Sequence, residues 1–244
     1  MSSRSRMFRT TGLAAVAALV VSATALAVTQ VGTSSDDTLV GSPSADSLSG
    51  RAGNDRLIGL AGNDKLKGED GNDRLDGDGT CPPGADPYYC IDTGEPGDDS
   101  MNGGKGRDRM YGQGGDDNMK GSSENDKLNG DEGDDRIDAG SENDSVRGGA
   151  DDDSIAGSSG NDVLVGGSGN DSISGGSGRD TAVGDSGNDK INVASKDAGD
   201  KVRCGAGKDT ATVDGRRVRR GRRVVTVLRD SVSRDCETVV VKLG

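Results

Sequence analysis

Histidine and tryptophan are absent from the 244 residues, and the chain contains one phenylalanine, three tyrosines and five prolines. The lack of histidine excludes a Ser-His-Asp triad, a Cys-His pair and a zinc site with histidine ligands. It also removes the side chain that serves most often as a general acid or base. The sequence therefore predicts a protein that is not an enzyme.

Apolar side chains are also scarce, since 30% of residues are hydrophobic and 2% are aromatic. The 42 glycines are more than twice the usual share of roughly 7%. A chain of this composition cannot bury an ordinary globular core. It must be repetitive, disordered or stabilised by metal ions.

The N-terminus has the order of features that is typical of a secretory signal peptide. Three arginines precede the apolar run Leu13–Ala27, which is shorter than the ~20 residues of a membrane span and is followed by polar residues. We expect residues 1–27 to be a cleaved signal peptide, with no membrane span in the mature chain. A secreted, extracellular protein meets oxidising conditions, which makes its four cysteines candidates for disulfides.

Acidic residues outnumber basic ones, and the formal net charge is −12. A polyanion repels nucleic acids and anionic membranes and attracts divalent cations. We therefore expect no nucleic-acid partner.

An aspartate recurs every nine residues along most of the chain. The apolar residue two positions later and the frequent glycines four positions later and two positions earlier define the unit G-x-x-G-N-D-x-U-x, in which U is apolar. The aspartates in strict register are Asp37, Asp46, Asp55, Asp64, Asp73, Asp99, Asp108, Asp117, Asp126, Asp135, Asp144, Asp153, Asp162, Asp171, Asp180 and Asp189.

Each unit is long enough for one short strand and one glycine-rich turn. Two units close a coil of 18 residues, and stacked coils form two parallel sheets with ~4.7 Å between strands. The stack places every second aspartate in one column and every second U side chain in another.

Hydrophobic burial alone cannot stabilise this arrangement. One buried apolar side chain contributes roughly 1.5–3 kcal/mol, whereas ordering nine residues costs on the order of 1–2 kcal/mol each. A lone aspartate could cap a turn by accepting backbone amides. A column of such aspartates would leave like charges uncompensated. The pattern therefore favours the binding of several calcium ions between the coils. Without calcium, we expect the chain to be disordered.

The units Gly50–Ile58, G-R-A-G-N-D-R-L-I, and Gly166–Ser174, G-G-S-G-N-D-S-I-S, resemble the RTX or hemolysin-type calcium-binding nonapeptide repeat. The resemblance covers roughly residues 32–213. It implies a right-handed parallel β-roll in which the sixteen aspartates and glycine-loop carbonyls hold calcium between alternate repeats. It sets an upper bound of about a dozen ions.

Several units depart from the pattern. The inner glycine is replaced at Ser35 and Ser44 in the first two units and at Glu124, Glu142 and Asp151 in the middle units. In the middle units we expect looser turns or weaker binding. The second glycine is also absent from several units, which leaves the geometry of those loops open: Arg51, Leu60, Glu69 and Gln113.

A 17-residue excess between two aspartates predicts a loop at about 78–96. Four cysteines allow three pairings, and we prefer Cys81 with Cys90, which closes this loop, and Cys204 with Cys236. The loop also contains Tyr88 and Tyr89. It is either a recognition loop or a tolerated insertion.

Residues 28–193 are predicted to form the roll, and 194–244 to contain degenerate repeats and a small β cap. The basic cluster from Arg216 to Arg223 either binds an anionic cell-surface polymer or is a solvated hairpin that offsets the acidic roll. The sequence thus predicts a secreted, non-catalytic calcium-binding β-roll that folds on binding calcium. The alternative is a calcium-rigidified adhesion or structural protein that uses the tyrosine loop or the arginine cluster.

Overall fold

The structure is a computed structural model that describes residues 27–78, 96–195, 199–220, 223–228 and 230–243. The signal-peptide prediction for 1–27 falls almost entirely outside these residues. Cys81, Cys90 and the two tyrosines of the predicted loop also lie outside them. The described residues form strands and turns and contain no helix, and so none that could cross a membrane.

Strands alternate between two sheets along the chain. Each nine-residue unit supplies one strand to one sheet, and the next unit supplies one strand to the other sheet. The ten-stranded sheet contains β2 (Thr38–Val40), β4 (Arg56–Ile58), β6 (Arg74–Asp76), β8 (Arg109–Gly114), β10 (Lys127–Glu132), β12 (Ser145–Ala150), β14 (Val163–Ser168), β16 (Thr181–Ser186), β18 (Lys201–Ala206) and β21 (Ser231–Val232).

The twelve-stranded sheet contains β1 (Thr29–Val31), β3 (Ser47–Ala52), β5 (Lys65–Asp70), β7 (Ser100–Lys105), β9 (Asn118–Ser123), β11 (Arg136–Ser141), β13 (Ser154–Ser159), β15 (Ser172–Ser174), β17 (Lys190–Asn192), β19 (Thr210–Arg220), β20 (Arg223–Leu228) and β22 (Thr238–Leu243). Apart from β20, the strands of each sheet pair in parallel with the strand of the next coil. The prediction of an all-β solenoid of nine-residue units is confirmed.

The core is the stack of U side chains between the two sheets. Leu128 lies opposite Val146 in the ladder and Met110 opposite Leu128, so the apolar residues of successive coils are in direct register. Every U residue from Leu39 to Ile191 is buried, and Val202 and Ala211 continue the stack. The apolar side chain of each coil is therefore buried only through contact with the neighbouring coils.

The stack continues across the inserted segment. Leu66 pairs with Met101 and Leu75 with Met110, although 35 residues separate each pair instead of 18. The insertion between β6 and β7 thus does not interrupt the register of the described coils.

At the C-terminus, β19 is longer than the other strands and has two partners beyond the roll. Its first half pairs in parallel with β22, and its second half forms an antiparallel hairpin with β20 in which Arg220 lies opposite Arg223. The basic cluster therefore belongs to a hairpin inserted between β19 and β21.

Candidate metal centre

The constant register of the coils stacks the repeat aspartates into two columns, one beside each sheet. The first contains Asp37, Asp55, Asp73, Asp108, Asp126, Asp144, Asp162, Asp180 and Asp200; the second contains Asp46, Asp64, Asp99, Asp117, Asp135, Asp153, Asp171, Asp189 and Asp209. All are buried, with at most 6% of their surface exposed. The structure therefore brings all sixteen predicted aspartates together and adds Asp200 and Asp209.

One carboxylate oxygen of each aspartate has a defined role in the stack. The backbone N–H of an aspartate donates to Oδ1 of the aspartate one coil further on, as Asp99 does to Asp117 and Asp117 does to Asp135. These bonds measure 2.7 to 3.0 Å between Asp37 and Asp209. Oδ1 thus fixes the orientation of the side chain.

The second carboxylate oxygen is buried without a hydrogen-bond partner along most of both columns. This holds for Oδ2 of Asp55, Asp64, Asp73, Asp99, Asp108, Asp117, Asp126, Asp135, Asp144, Asp153, Asp162, Asp171, Asp189, Asp200 and Asp209. A buried acceptor without a partner costs about 1–3 kcal/mol, and more when it is charged. A repeated arrangement of this kind indicates a missing positive ligand.

The loop glycine beside each carboxylate explains why a side chain is excluded there. A Cβ on Gly112 would collide with Oδ2 of Asp117 and would lie 2.6 Å from the carbonyl oxygen of Gly130 in the next coil. The carboxylate oxygen and the carbonyl oxygen therefore face the same small space. Such a set of oxygen donors without nitrogen or sulfur suits a hard cation such as Ca²⁺.

The residue four positions before the aspartate is left-handed even in the units that lack a glycine there. Arg51, Leu60, Glu69 and Gln113, which lack the second glycine, have φ between 80° and 83°. This is the left-handed region that glycine adopts most easily. The open question of loop geometry at these positions is therefore answered by a common turn.

The inner-glycine replacements divide into two groups. Glu124, Glu142 and Asp151 have φ of 73° to 75°, so the looser turn expected there is not found. Ser35 and Ser44 do not adopt the left-handed conformation, and the turns that contain them differ from the rest. The altered turns thus lie in the first two units and not in the middle ones.

Burial raises the pKa of carboxyl groups in the interior of both columns. Desolvation is the main cause, neighbouring aspartates add to it, and the amide bond to Oδ1 opposes it. The pKa rises to about 9 at Asp99, to about 8 at Asp117, Asp126 and Asp153, and to about 6 at Asp200. The ionised column is therefore unfavourable without a counter-charge.

The columns end differently from their interior. The backbone N–H of Thr33 donates to Oδ2 of Asp37 at 2.5 Å, and the N–H of Ser42 donates to Oδ2 of Asp46. At the other end, Asp214 donates its N–H to Oδ2 of Asp230 at 2.6 Å. A backbone amide is thus the partner of the second carboxylate oxygen, from a loop at Thr33 and Ser42 and from β19 at Asp214.

Asp230 and Glu237 complete the two columns, and the periodicity did not reveal them. Oδ1 of Asp230 accepts the N–H of Asp200 at 3.3 Å, and Oε2 of Glu237 accepts the N–H of Asp209 at 2.7 Å. Each is followed two positions later by a valine at a U position, Val232 or Val239, which pairs with Val202 or Ala211. This acidic-x-apolar pattern is the signal that could have identified them.

A disulfide joins Cys204, in β18, to Cys236, immediately before β22. The predicted pairing of Cys81 with Cys90 lies outside the described residues.

The nonapeptide units match the family of RTX calcium-binding nonapeptide repeats over residues 31–66, 50–79, 93–128, 120–155, 129–164 and 156–191. The chain belongs to this family. RTX repeats bind calcium, their β-rolls are generally non-catalytic, and proteins that contain them are typically secreted by bacteria. A search of curated proteins gives no match.

Proposed function

We propose that this RTX chain is a secreted, non-catalytic calcium-binding protein whose roll forms as calcium binds. The observation that carries the proposal is the pair of columns of buried carboxylates, in which Oδ2 of the fifteen aspartates named above has no hydrogen-bond partner. We assign the metal-binding role to these aspartates.

The residues present fit calcium in chemistry and in shape. Oδ2 of an aspartate and the carbonyl oxygen of a loop glycine in the adjacent coil would hold the ion, as Asp117 and Gly130 illustrate. Calcium accepts six to eight oxygen ligands, including carboxylates and backbone carbonyls, and tolerates irregular geometry better than magnesium. When bound, it supplies the positive charge that the stacked carboxylates need.

Calcium binding and folding are expected to be one event. The aspartates of a column meet only when coils 18 residues apart have stacked, because the N–H of one aspartate binds the carboxylate of the next coil. The unfolded chain has no preformed site, so the free energy of ion binding contributes directly to folding.

Secretion fits this coupling. A calcium-dependent chain stays unfolded where free calcium is scarce and folds where extracellular modules bind it, at about 10⁻⁴–10⁻³ M. The adhesion alternative has no comparable support, since the tyrosine loop lies outside the described residues and the arginine cluster is described only as a hairpin backbone.

Far-UV circular dichroism of residues 28–244, with the disulfides formed, tests the proposal. Calcium should convert a coil spectrum into a β spectrum, a chelator should reverse the change, and magnesium at the same concentration should not reproduce it. A spectrum that remains coil at millimolar calcium would contradict the proposal, and so would a β spectrum that is unchanged by the chelator.

A further inference from the structure

The residue four positions before each column aspartate divides the turns into two classes. In one class this residue is left-handed, as at Arg51 (φ 82°), Gln113 (φ 81°) and Gly205 (φ 107°). In the other class, which contains Thr33 and Ser42, it is not left-handed. The first class precedes Asp55, Asp117 and Asp209, and the second precedes Asp37 and Asp46.

The two classes differ in what contacts Oδ2. Where the loop residue is not left-handed, its N–H donates to Oδ2, and at Asp37 the hydroxyl of Thr33 also contacts this oxygen at 2.9 Å. Where the loop residue is left-handed, Oδ2 of Asp55, Asp117 and Asp209 is buried and has no hydrogen-bond partner. The conformation of the loop residue thus separates the capped carboxylates of the first two units from the open ones. At the other end, Asp230 is capped by the N–H of Asp214 in β19.

Open carboxylates continue beyond the matched repeats, which end at residue 191. Asp200 and Asp209 have 0% and 1% of their surface exposed, and Oδ2 of each has no hydrogen-bond partner. Cys204 provides a backbone carbonyl oxygen beside Gly184, in the space that Oδ2 of Asp189 also faces. The donors of an ion site therefore continue into the degenerate repeats.

We propose that the ion-binding columns run from Asp55 to Asp209, and that the amide-capped aspartates Asp37, Asp46 and Asp230 close their ends without binding an ion. This inference rests on the proposed calcium function. It removes Asp37 and Asp46 from the sixteen predicted ligands and adds Asp200 and Asp209. The terminal coils then satisfy their own carboxylates with backbone amides, while the interior coils require calcium.

The physical reason is competition for one oxygen. An amide that donates to Oδ2 occupies the direction from which a cation would approach, and it already stabilises the charge on the carboxylate. A cation would have to displace that hydrogen bond and leave a buried N–H without a partner. The capped positions therefore favour the amide.

The test counts calcium ions per chain and measures how the unfolding temperature rises with calcium concentration. It compares the wild-type chain with Asp46→Asn, Asp117→Asn and Asp209→Asn, three aspartates of the same column. Asparagine keeps the Oδ1 acceptor and removes the negative charge. Equilibrium dialysis with elemental analysis counts the ions, and circular dichroism verifies that each variant reaches the β spectrum in calcium.

Asp46→Asn is expected to bind as many ions as the wild type, and its unfolding temperature should rise as steeply with calcium concentration. Asp117→Asn and Asp209→Asn should each bind at least one ion fewer. The inference is overturned if Asp46→Asn loses an ion or if Asp209→Asn loses none. If Asp46→Asn does not fold, Asp37→Asn provides the same comparison at the first aspartate of the other column.

The wild-type chain separates this inference from the proposed function. A wild type that binds no calcium overturns both. A wild type that binds several ions, with losses at Asp46→Asn equal to those at Asp117→Asn, supports the proposed function and overturns the assignment of the ends.

Discussion

The backbone N–H of Asp99 donates to Oδ1 of Asp117, over 2.8 Å, across one full coil of the roll. This bond leaves Oδ2 of Asp117 beside the carbonyl oxygen of Gly130 and without a hydrogen-bond partner. One side chain thus joins two coils through one oxygen and offers the other to a ligand. The repetition of this relationship couples the stacking of coils to metal binding.

The first prediction separates these two roles at one position. Asp117→Asn should keep the bond from Asp99 but weaken the ion site, because the amide group carries no charge. With calcium at 100 times its Kd, the loss of one ion lowers the free energy of unfolding by about 2.7 kcal/mol. Chemical denaturation in calcium measures this loss, and in chelator both chains should give the same coil spectrum.

Asp116→Asn is the matched control for this experiment. Asp116 is exposed, and its Oδ1 accepts the N–H of Asp134 at 2.9 Å in a ladder on the surface, so asparagine preserves the contact. The control should unfold like the wild type in calcium. Equal destabilisation of both variants would show that the effect of Asp117→Asn comes from lost net charge and not from a site.

The repeat made most of the fold predictable. An aspartate and an apolar residue at fixed positions in each nine-residue unit determine which side chains stack, because every unit repeats the same strand and turn. Leu66 and Met101 show the strength of this register, since they pair despite 35 intervening positions along the chain. The two columns and the core therefore follow from spacing alone.

The features that escaped prediction depend on contacts that spacing does not encode. Ile58 is fully buried although it follows the inward residue Leu57 on its strand. Asp230 follows the inserted hairpin, which breaks the period and hides its place in the column. Glu142 adopts a turn that favours glycine, because the neighbouring coils on both sides impose it. In each case the reason lies in a neighbouring segment and not in the residue's own unit.

The second prediction concerns the space between a loop glycine and its carboxylate. Gly112→Ala places a methyl group against Oδ2 of Asp117 and 2.6 Å from the carbonyl oxygen of Gly130. Overpacking of this kind costs about 1–3 kcal/mol, and the displaced oxygens could no longer hold a cation together. The number of bound calcium ions and the unfolding temperature in calcium should both fall.

Gly114→Ala is the control, since Gly114 lies two residues further along the same strand. Its added Cβ would meet only side-chain atoms of Pro96, the nearest at 3.0 Å. This variant should retain every ion. A loss of ions in both variants would mean that β8 tolerates no side chain at a glycine, and the result would then say nothing specific about the carboxylate.

The third prediction concerns the disulfide at the C-terminal end. Cys204 and Cys236 are 32 residues apart, and a cross-link over a loop of that length contributes between about 3 and 4.7 kcal/mol to stability. The double variant Cys204→Ala, Cys236→Ala should lose stability of this size. Hydrogen exchange should locate the loss in β21 and β22, with β9 to β14 protected as before. Uniformly faster exchange along the roll would contradict a local role for the disulfide.

The last prediction concerns pH in the absence of calcium. Burial raises the pKa to about 9 at Asp99 and to about 8 at Asp117 and Asp153, above the ordinary value of 3.8 that an unfolded chain retains. The folded state therefore binds protons more tightly than the unfolded state, and this contribution to stability is complete below about pH 4 and is lost as the pH rises through 6 to 9.

In calcium-free buffer, circular dichroism should show more β structure at pH 5 than at pH 9. In calcium the dependence should be reversed, because protons compete with the ion for the same carboxylates. A calcium-free chain that gains β structure as the pH rises would refute the idea that uncompensated buried carboxylates hold the roll unfolded.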